Sequence, residues 1–175
     1  MKKGKIFTAL MLVTAGIAAT GCGAVSTNSA AIKTGDLQAE QNSIPEFITP
    51  DLSDDGTVLV DTSILTAHPK YVNYDAGGTT VQMIAVKASD DSYRLSLNTC
   101  QSCNPSPRAY FKEKNGRLVC QNCGNTFTMD SVGSLSGGCN PMNIAYETTG
   151  DHLAVKKTDL NRYAEKFLSW KGPTE

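Results

Sequence analysis

The sequence predicts a single small α+β domain that consists mainly of short antiparallel β-strands and ends in a helix. Short segments rich in β-branched residues alternate with turn residues from about residue 54 onward, as they do in sheets of short strands. Near the C-terminal end, Leu160, Tyr163 and Phe167 recur at helical spacing. The segment between these limits, 54–170, is long enough to build one hydrophobic core.

Six strands are predicted along this domain. They span residues 57–60, 81–87, 93–97, 117–119, 126–129 and 152–155. In the third of them, Tyr93, Leu95 and Leu97 alternate with polar residues, which is typical of a half-buried strand. This strand leads directly into Cys100. Gly116 predicts a turn before the fourth strand, because glycine readily adopts the positive φ of tight turns.

The C-terminal helix is predicted to begin after a cap at Thr158 or Asp159. Both residue types accept hydrogen bonds from the free N–H groups at a helix N terminus. Gly172 and Pro173 are expected to end the helix. Residues 171–175 then form a short tail.

Residues 1–21 have the composition of a bacterial export signal. Lys2, Lys3 and Lys5 form a basic start, and the apolar run that follows is too short for a membrane span of about 20 residues. Small residues then lead into Cys22, as in a lipobox, where the thiol is acylated and the chain is cut before the cysteine. The prediction is a lipoprotein anchored through Cys22 at the outer face of the cytoplasmic membrane. The alternative is an ordinary leader that has Cys22 near its cleavage site by chance.

The mature chain is predicted to start with a flexible tether, 22–53, which is rich in small polar residues and has no apolar period. Loss of residues 1–21 removes three lysines and no acid, so the net charge changes from −1 to −4. This mildly acidic balance argues against nucleic acid as a partner, because phosphate binding needs a basic surface. The expected partner is the membrane, which the chain reaches through the lipid at Cys22.

Four cysteines form two Cys-x-x-Cys pairs, Cys100/Cys103 and Cys120/Cys123, with 16 residues between them. This spacing is typical of a metal site with four thiolates. A tight turn with cysteines three positions apart aims both sulfurs at one point, and two such turns complete a tetrahedron. The predicted fold class therefore includes a ribbon-like four-cysteine metal site.

The residue that follows each pair favours the same interpretation. Gly124 follows the second pair and Asn104 follows the first. Glycine and asparagine are the residues that most readily adopt positive φ, a conformation that lets backbone N–H groups point at the sulfurs. Both residues are expected to adopt it.

Disulfide bonding is the competing interpretation, because an exported chain meets an oxidising compartment. Apart from Cys22 the chain has five cysteines, so they cannot all pair with one another. The fifth, Cys139, is interpreted as a further ligand, a replacement ligand or a reactive thiol. Met142 is either a soft donor that suits copper or a core residue. His68 and His152 stand apart from the cysteines and are expected to be surface histidines or histidines with satisfied hydrogen bonds, and not ligands.

Residues 60–143 resemble the FtrD-like family of iron–sulfur membrane proteins. The matching features are Asn98-Thr99-Cys100-Gln101-Ser102-Cys103, Ala109-Tyr110, Leu118-Val119-Cys120-Gln121-Asn122-Cys123-Gly124 and Gly137-Gly138-Cys139-Asn140-Pro141, with Tyr74-Asp75-Ala76-Gly77 and Ile84-Ala85-Val86-Lys87 upstream. The resemblance covers about half of the chain and is specific at the cysteine motifs.

This resemblance implies a metal or iron–sulfur redox domain at the outer face of the membrane. Members are associated with iron-uptake systems that contain a ferrous permease and a polyferredoxin-like membrane partner. The implied ligands are Cys100, Cys103, Cys120 and Cys123, with Cys139 as the family's fifth cysteine. A permease or an electron-transfer protein in the membrane is the implied partner, and the implied cofactor is iron or an iron–sulfur cluster.

The chain departs from fuller members of the family, which carry several membrane spans, because a single lipid anchor is predicted here. The leader has Lys2-Lys3 in place of twin arginines, so we expect export of an unfolded chain that acquires its metal outside. Zinc, copper or a single iron meets that constraint more easily than a preassembled cluster.

Three functions remain open at this point. The first is a redox or metal-handling component of a membrane iron or copper transport system, and the second is a structural zinc domain that mediates protein interaction. The third is a thiol–disulfide oxidoreductase, whose Cys-x-x-Cys normally lies at a helix N terminus and not after a strand. The sequence contains no Gly-x-Ser-x-Gly, His-Glu-x-x-His or phosphate-binding loop, so a conventional enzyme is not expected.

Overall fold

The computed structural model describes residues 44–175. The predicted signal peptide, Cys22 and most of the predicted tether lie outside the described residues. Among the described residues the strands are β1 Glu46–Ile48, β2 Asp51–Leu52, β3 Thr57–Asp61, β4 Lys70–Asp75, β5 Thr80–Lys87, β6 Tyr93–Cys100, β7 Phe111–Lys114, β8 Arg117–Cys120, β9 Thr126–Phe127, β10 Pro141–Met142, β11 Glu147–Thr149 and β12 His152–Lys156. One α-helix, α1 Lys157–Tyr163, follows β12, and 3-10 turns span Thr62–Ile64, Met129–Ser131 and Ala164–Phe167.

These strands form three sheets. The central sheet has the order β1-β4-β5-β6-β10, with β1 parallel to β4 and the other neighbours antiparallel. A second sheet has the order β11-β12-β3-β2, and a third has the order β7-β8-β9; both are antiparallel throughout. The expectation of short antiparallel strands with one C-terminal helix is confirmed.

The central sheet has a hydrophobic cluster on each face, because successive side chains of a strand point to opposite sides. On β5, Met83 and Ala85 pack in one cluster, whereas Ile84 and Val86 pack in the other. Strand β5 is accordingly buried along almost its whole length. A strand that is buried on both faces is rich in apolar residues and does not show a simple alternation.

One face of the central sheet packs against the second sheet and the C-terminal residues. This cluster includes Val58 of β3, Leu153 of β12, and Leu160, Phe167 and Trp170 near the C terminus. The opposite face packs against the third sheet, and its cluster includes Phe111, Leu118, Cys100 and Cys120. The third sheet thus carries one cysteine pair to the face of the central sheet where the other pair begins.

All six predicted strands are present, although the one predicted at 126–129 ends at Phe127 and a 3-10 turn follows it. The predicted helix cap is wrong. Strand β12 runs directly into the helix, which begins at Lys157 with Lys156 in the cap position, so Thr158 and Asp159 lie within the first turn. The α-helix ends at Tyr163 and continues as a 3-10 turn to Phe167, well before Gly172.

The sequence reasoning missed six strands. They are β1, β2, β4, β7, β10 and β11. Strands β1 and β2 lie inside the range 22–53 that is predicted as a tether, and they pair with β4 and β3. Within residues 44–175, no helix combines the length and the apolar character needed to span a membrane.

Candidate metal centre

Each Cys-x-x-Cys pair begins at the end of a strand. Cys100 is the last residue of β6 and Cys120 is the last residue of β8, and the chain turns sharply after each of them. We call residues 100–103 the first knuckle and residues 120–123 the second knuckle. The two strands belong to different sheets, which pack face to face and bring the two turns together.

The two knuckles have the same backbone geometry. The N–H of Asn104 donates to the carbonyl of Cys100 at 3.0 Å, and the N–H of Gly124 donates to the carbonyl of Cys120 at 2.8 Å. In the first knuckle the Sγ of Cys100 accepts hydrogen bonds from the backbone N–H groups of residues 102 and 103. In the second, Cys120 Sγ accepts them from the N–H groups of residues 122 and 123. Such N–H donors stabilise thiolates, and thiolates are the form that binds metal.

The residues that follow the knuckles differ from each other in conformation. Gly124 has a φ of 77°, which confirms the expectation for the second knuckle. Asn104 is not among the described non-glycine residues with positive φ, so the expectation for the first knuckle is wrong. The physical reason is that Pro105 follows Asn104 and restricts its backbone. The Asn104 side chain serves another purpose, since its Nδ2 donates to Thr99 Oγ1 at 3.0 Å and to the Lys166 carbonyl at 2.7 Å.

The knuckles and Cys139 bring their sulfurs into one cluster. The sulfurs of Cys100, Cys103 and Cys139 all lie within 4.8 Å of one another, and so do those of Cys103, Cys120 and Cys123. Cys103 and Cys120, which come from different knuckles, have their sulfurs 3.9 Å apart. Two thiolates on one tetrahedral ion with metal–sulfur bonds of about 2.3 Å are separated by roughly 3.8 Å. The distance between Cys103 and Cys120 therefore fits a single shared ion.

The cluster is buried at one end and open at the other. Cys100 and Cys120 are buried, Cys103 and Cys139 are half-buried, and Cys123 is exposed. Burial raises the pKa of the Cys100 thiol far above its ordinary value, because the low-dielectric interior disfavours the thiolate. Burial likewise raises the pKa of Cys120 to about 11, although the N–H groups of residues 122 and 123 oppose the shift.

The open end of the cluster favours the charged form. For Cys123, burial is the largest single influence and raises the pKa, but it is outweighed by the N–H of Asn125 and by hydrogen bonds from Cys120, Cys139 and Cys103. Together these donors lower the pKa of Cys123 to about 7. The pKa of Cys139 is raised, chiefly because its thiol donates to Cys123. The exposed sulfur of Cys123 is thus more readily deprotonated at neutral pH than those of Cys100, Cys120 and Cys139.

Cys139 is held in place by the two middle residues of the first knuckle. Gln101 Nε2 donates to the carbonyls of Leu135 at 3.2 Å and Pro141 at 2.9 Å, and Gln101 Oε1 accepts from the N–H of Gly137 at 2.7 Å. Ser102 Oγ donates to the carbonyl of Gly138 at 2.5 Å. We call residues 133–140 the Cys139 loop. The sequence reasoning missed these contacts, since a Gln-Ser pair between two cysteines gives no sign of its partners.

The first knuckle is also supported from the C-terminal end of the chain. Trp170 is buried, and its Nε1 donates at 2.9 Å to the carbonyl of Asn98, two residues before Cys100. Its ring packs edge-on against Tyr110. The N–H of Lys171 donates to the Pro107 carbonyl at 2.9 Å. The sequence reasoning missed this support, because the position of Trp170, the sole tryptophan of the chain, gives no indication of the contact.

Other candidate donors lie apart from the cluster. Met142 packs with the hydrophobic residues on the opposite side of the central sheet, which agrees with a core role. His68 Nδ1 lies 2.7 Å from a carboxylate oxygen of Glu113. Neither His68 nor His152 takes part in a group of potential ligands among residues 44–175. The five described cysteines form no disulfide bond with one another.

A compact domain with convergent cysteine sulfurs, supported by backbone N–H groups, fits the class of cysteine-ligated metal-binding domains. The family model described as "Membrane iron-sulfur containing protein FtrD-like" matches residues 64–167, which is more than half of the chain. The chain belongs to this family. A search of curated proteins and a search of solved structures each returned no match.

The donor set agrees with the iron–sulfur character named in the family description. All the clustered ligand atoms are cysteine sulfurs, and thiolates are the ligands of iron–sulfur centres as well as of tetrahedral zinc and single iron ions. The sulfurs within each group of three are close enough to share one ion.

Proposed function

We propose that this protein is an exported, lipid-anchored metal-binding protein that serves as a redox or metal-handling component of a membrane iron transport system. The observation that carries the proposal is the convergence of five cysteine sulfurs, with N–H donors already directed at them, in a chain of the FtrD-like family. The proposed ligands are Cys100, Cys103, Cys120, Cys123 and Cys139. Iron bound by these thiolates would supply a one-electron couple.

The exposure of the cluster supports a role in exchange with a partner. Cys123 lies at the surface, and the residues around it, 122–126, are exposed as well. Electron transfer or metal transfer requires a partner to approach the centre closely, whereas a purely structural ion is best kept enclosed. The proposed partner is a permease or an electron-transfer protein in the same membrane.

The proposed location follows from the first 22 residues of the sequence. The basic start, the apolar run and the small residues before Cys22 support export and acylation. Acylation would keep the domain at the outer face of the cytoplasmic membrane. The variant Cys22→Ser should release the protein from membranes while its bound metal is unchanged. A Cys22→Ser protein that stays in the membrane fraction after a carbonate wash would contradict the lipid anchor.

The decisive experiment is anaerobic purification of the full chain in detergent, followed by elemental analysis and visible absorption spectroscopy. We expect iron, together with thiolate-to-iron charge-transfer bands that bleach on addition of dithionite. Cys120→Ser should lose most of the iron, and Cys22→Ser is the matched control that should keep it. A colourless protein that contains zinc, or one that retains no metal, would refute the redox proposal.

A structural zinc site is the second candidate, and one observation favours it. The first knuckle follows a strand of the central sheet, and the second knuckle follows a strand of the third sheet. A single ion bound by both knuckles would therefore cross-link the two sheets. In that case metal binding contributes directly to the free energy of folding. Removal of the metal with a chelator should then unfold the domain. If circular dichroism shows a folded chain after chelation, the structural role fails.

A thiol–disulfide oxidoreductase is less well supported. A catalytic Cys-x-x-Cys uses a helix N terminus to stabilise its thiolate. Here each pair follows a strand, and turns without helix follow both pairs among the described residues. An insulin-reductase activity that disappears in Cys100→Ser would revive this candidate.

A further inference from the structure

The five clustered sulfurs form two groups of three that share one member. Cys100, Cys103 and Cys139 make up one group, and Cys103, Cys120 and Cys123 make up the other. A single tetrahedral ion takes four thiolates. The cluster therefore holds more sulfur ligands than one ion can use, and the shared position belongs to Cys103.

Cys139 is a built-in member of this cluster. The Cys139 loop is fixed to the first knuckle by the hydrogen bonds of Gln101 and Ser102, and the Sγ of Cys100 lies 3.3 Å from the carbonyl oxygen of Cys139. Strand β10 follows the Cys139 loop and is also joined to the first knuckle, because its Pro141 pairs with Cys100 on the neighbouring strand β6. A surface thiol without a ligand role would need none of these contacts.

The charges around the cluster favour two ions over one. The three segments that supply the cysteines, 98–107, 118–129 and 131–146, contain no charged residue. Four thiolates around one divalent ion leave a formal charge of two minus, whereas five thiolates around two divalent ions leave one minus. Burying the smaller charge costs less where no cation from these segments offsets it.

We infer that the cluster is a two-ion centre in which the thiolate of Cys103 bridges a pair of thiophilic divalent ions. One ion is bound by Cys100, Cys103 and Cys139, and the other by Cys103, Cys120 and Cys123. The thiols lose their protons on binding, and no electron is transferred in this step. The inference deepens the proposed function and rests on it, because both require that the cysteines bind metal.

Titration of the reduced full chain in detergent with Co(II) under anaerobic conditions tests the inference. Native mass spectrometry should show a plateau at two ions per chain. The electron paramagnetic resonance signal of Co(II) should grow up to the first equivalent. It should then decline during the second, because a bridging sulfur couples the spins of the two ions.

Variants assign the ligands of each ion. Cys139→Ser should bind one Co(II), since the other group of three remains complete. Cys103→Ser should abolish the spin coupling. Cys22→Ser is the matched control, because Cys22 is not one of the proposed ligands and the variant should still bind two coupled ions. Circular dichroism reports whether each variant is folded, and the wild-type titration decides the question even if a cluster variant does not fold.

The outcomes separate this inference from the proposed function. A wild-type plateau at one ion, with no decline of the resonance signal, overturns the two-ion centre and leaves the metal-binding function standing. A wild-type chain that retains no ion overturns both. A plateau at two ions that is unchanged in Cys139→Ser overturns the role assigned to Cys139.

Discussion

The two knuckles have the same backbone turn but very different surroundings. Around the first knuckle, Gln101 and Ser102 hold the Cys139 loop, Asn104 bonds to the 3-10 turn at the C-terminal end, and Trp170 packs beneath. The second knuckle is exposed from residue 122 onward. A hydrogen bond from Ser106 Oγ to Asn122 Oδ1 at 2.7 Å joins the loop after the first knuckle to the second knuckle, in addition to the contact between the sulfurs of Cys103 and Cys120.

This difference shows how one local motif can take on two roles. The turn itself only directs N–H groups at sulfur, and it does so equally well in both places. Burial and side-chain contacts then make the first knuckle the rigid half of the site and leave the second knuckle as the accessible half. Substitutions in each half of the site test that division.

Removal of the indole beneath the first knuckle should have the largest effect. Trp170→Ala leaves a cavity and an unpaired Asn98 carbonyl, so we expect a loss of about 3–5 kcal/mol in the free energy of unfolding. Urea denaturation should be followed by circular dichroism, because the chain has a single tryptophan. The control Leu168→Ala, at a side chain that is 72% exposed, should change stability by less than about 0.5 kcal/mol. Equal losses in the two variants would contradict the supporting role of Trp170.

The corresponding glutamines of the two knuckles offer a matched pair. The Gln101 side chain makes two hydrogen bonds to the Cys139 loop and a third to the Pro141 carbonyl just after it, whereas Gln121 Nε2 makes one to the Val119 carbonyl. Gln101→Ala should therefore lower the free energy of unfolding by about 2 kcal/mol, and Gln121→Ala by less than about 1 kcal/mol. Chemical denaturation of both variants checks this. If Gln121→Ala costs as much as Gln101→Ala, the two knuckles are equally supported and the comparison fails.

Thiol reactivity should separate the buried and open ends of the site. At pH 8, a pKa of about 7 leaves Cys123 about nine-tenths ionised, whereas a pKa of about 11 leaves Cys120 about one-thousandth ionised. The lower intrinsic nucleophilicity of the Cys123 thiolate offsets much of this ratio, so we expect iodoacetamide to modify Cys123 at least about tenfold faster. Burial of Cys120 adds to the difference.

Peptide mass spectrometry of the reduced, chelated chain after short exposure to iodoacetamide measures these rates. The rate at Cys123 should fall as the pH drops through 7, because its thiolate becomes protonated, whereas its preference over Cys120 should persist, because the ionised fraction of Cys120 falls at least as steeply. Equal labelling of Cys120 and Cys123 in a chain that circular dichroism shows to be folded would contradict the assignment.

A smaller effect is expected at the turn that closes the second knuckle. Gly124 has positive φ, and a Cβ at this position would meet no atom within 4 Å, so the cost of Gly124→Ala is conformational only. We expect a loss of about 1 kcal/mol in the free energy of unfolding. Gly124→Asn should cost less, because asparagine tolerates this region better. If thermal or chemical unfolding shows a larger loss of stability for Gly124→Asn than for Gly124→Ala, steric crowding and not the positive φ determines which side chains this position tolerates.

The fold class and the cysteine cluster were predictable because their signals are local. Alternation in Tyr93, Leu95 and Leu97 marks β6, although the expectation of a half-buried strand is wrong, because both faces of the central sheet are covered and Ser96 and Asn98 are buried too. The spacing of the cysteine pairs follows from the geometry of a turn. The conformation of Gly124 also follows from its residue type. In each case the residues that determine the local structure lie within a few positions of it in the sequence.

The rest depends on contacts between distant parts of the chain. Strand β4 carries polar residues among apolar ones, and it forms because β5 pairs with it. The start of the helix is set by the end of β12, which overrides the cap preference of Thr158. No pattern in the sequence places Gln101 against the Cys139 loop or Trp170 against Asn98.

The contact between Trp170 and Asn98 also has a consequence for the order of events during biosynthesis. Ribosomes make a chain from its N terminus, so both knuckles and the Cys139 loop exist before Trp170 is added. The indole that packs beneath the first knuckle is thus synthesised after every cysteine of the cluster. The rigid half of the site therefore cannot reach its final packing until the chain has been made at least as far as residue 170.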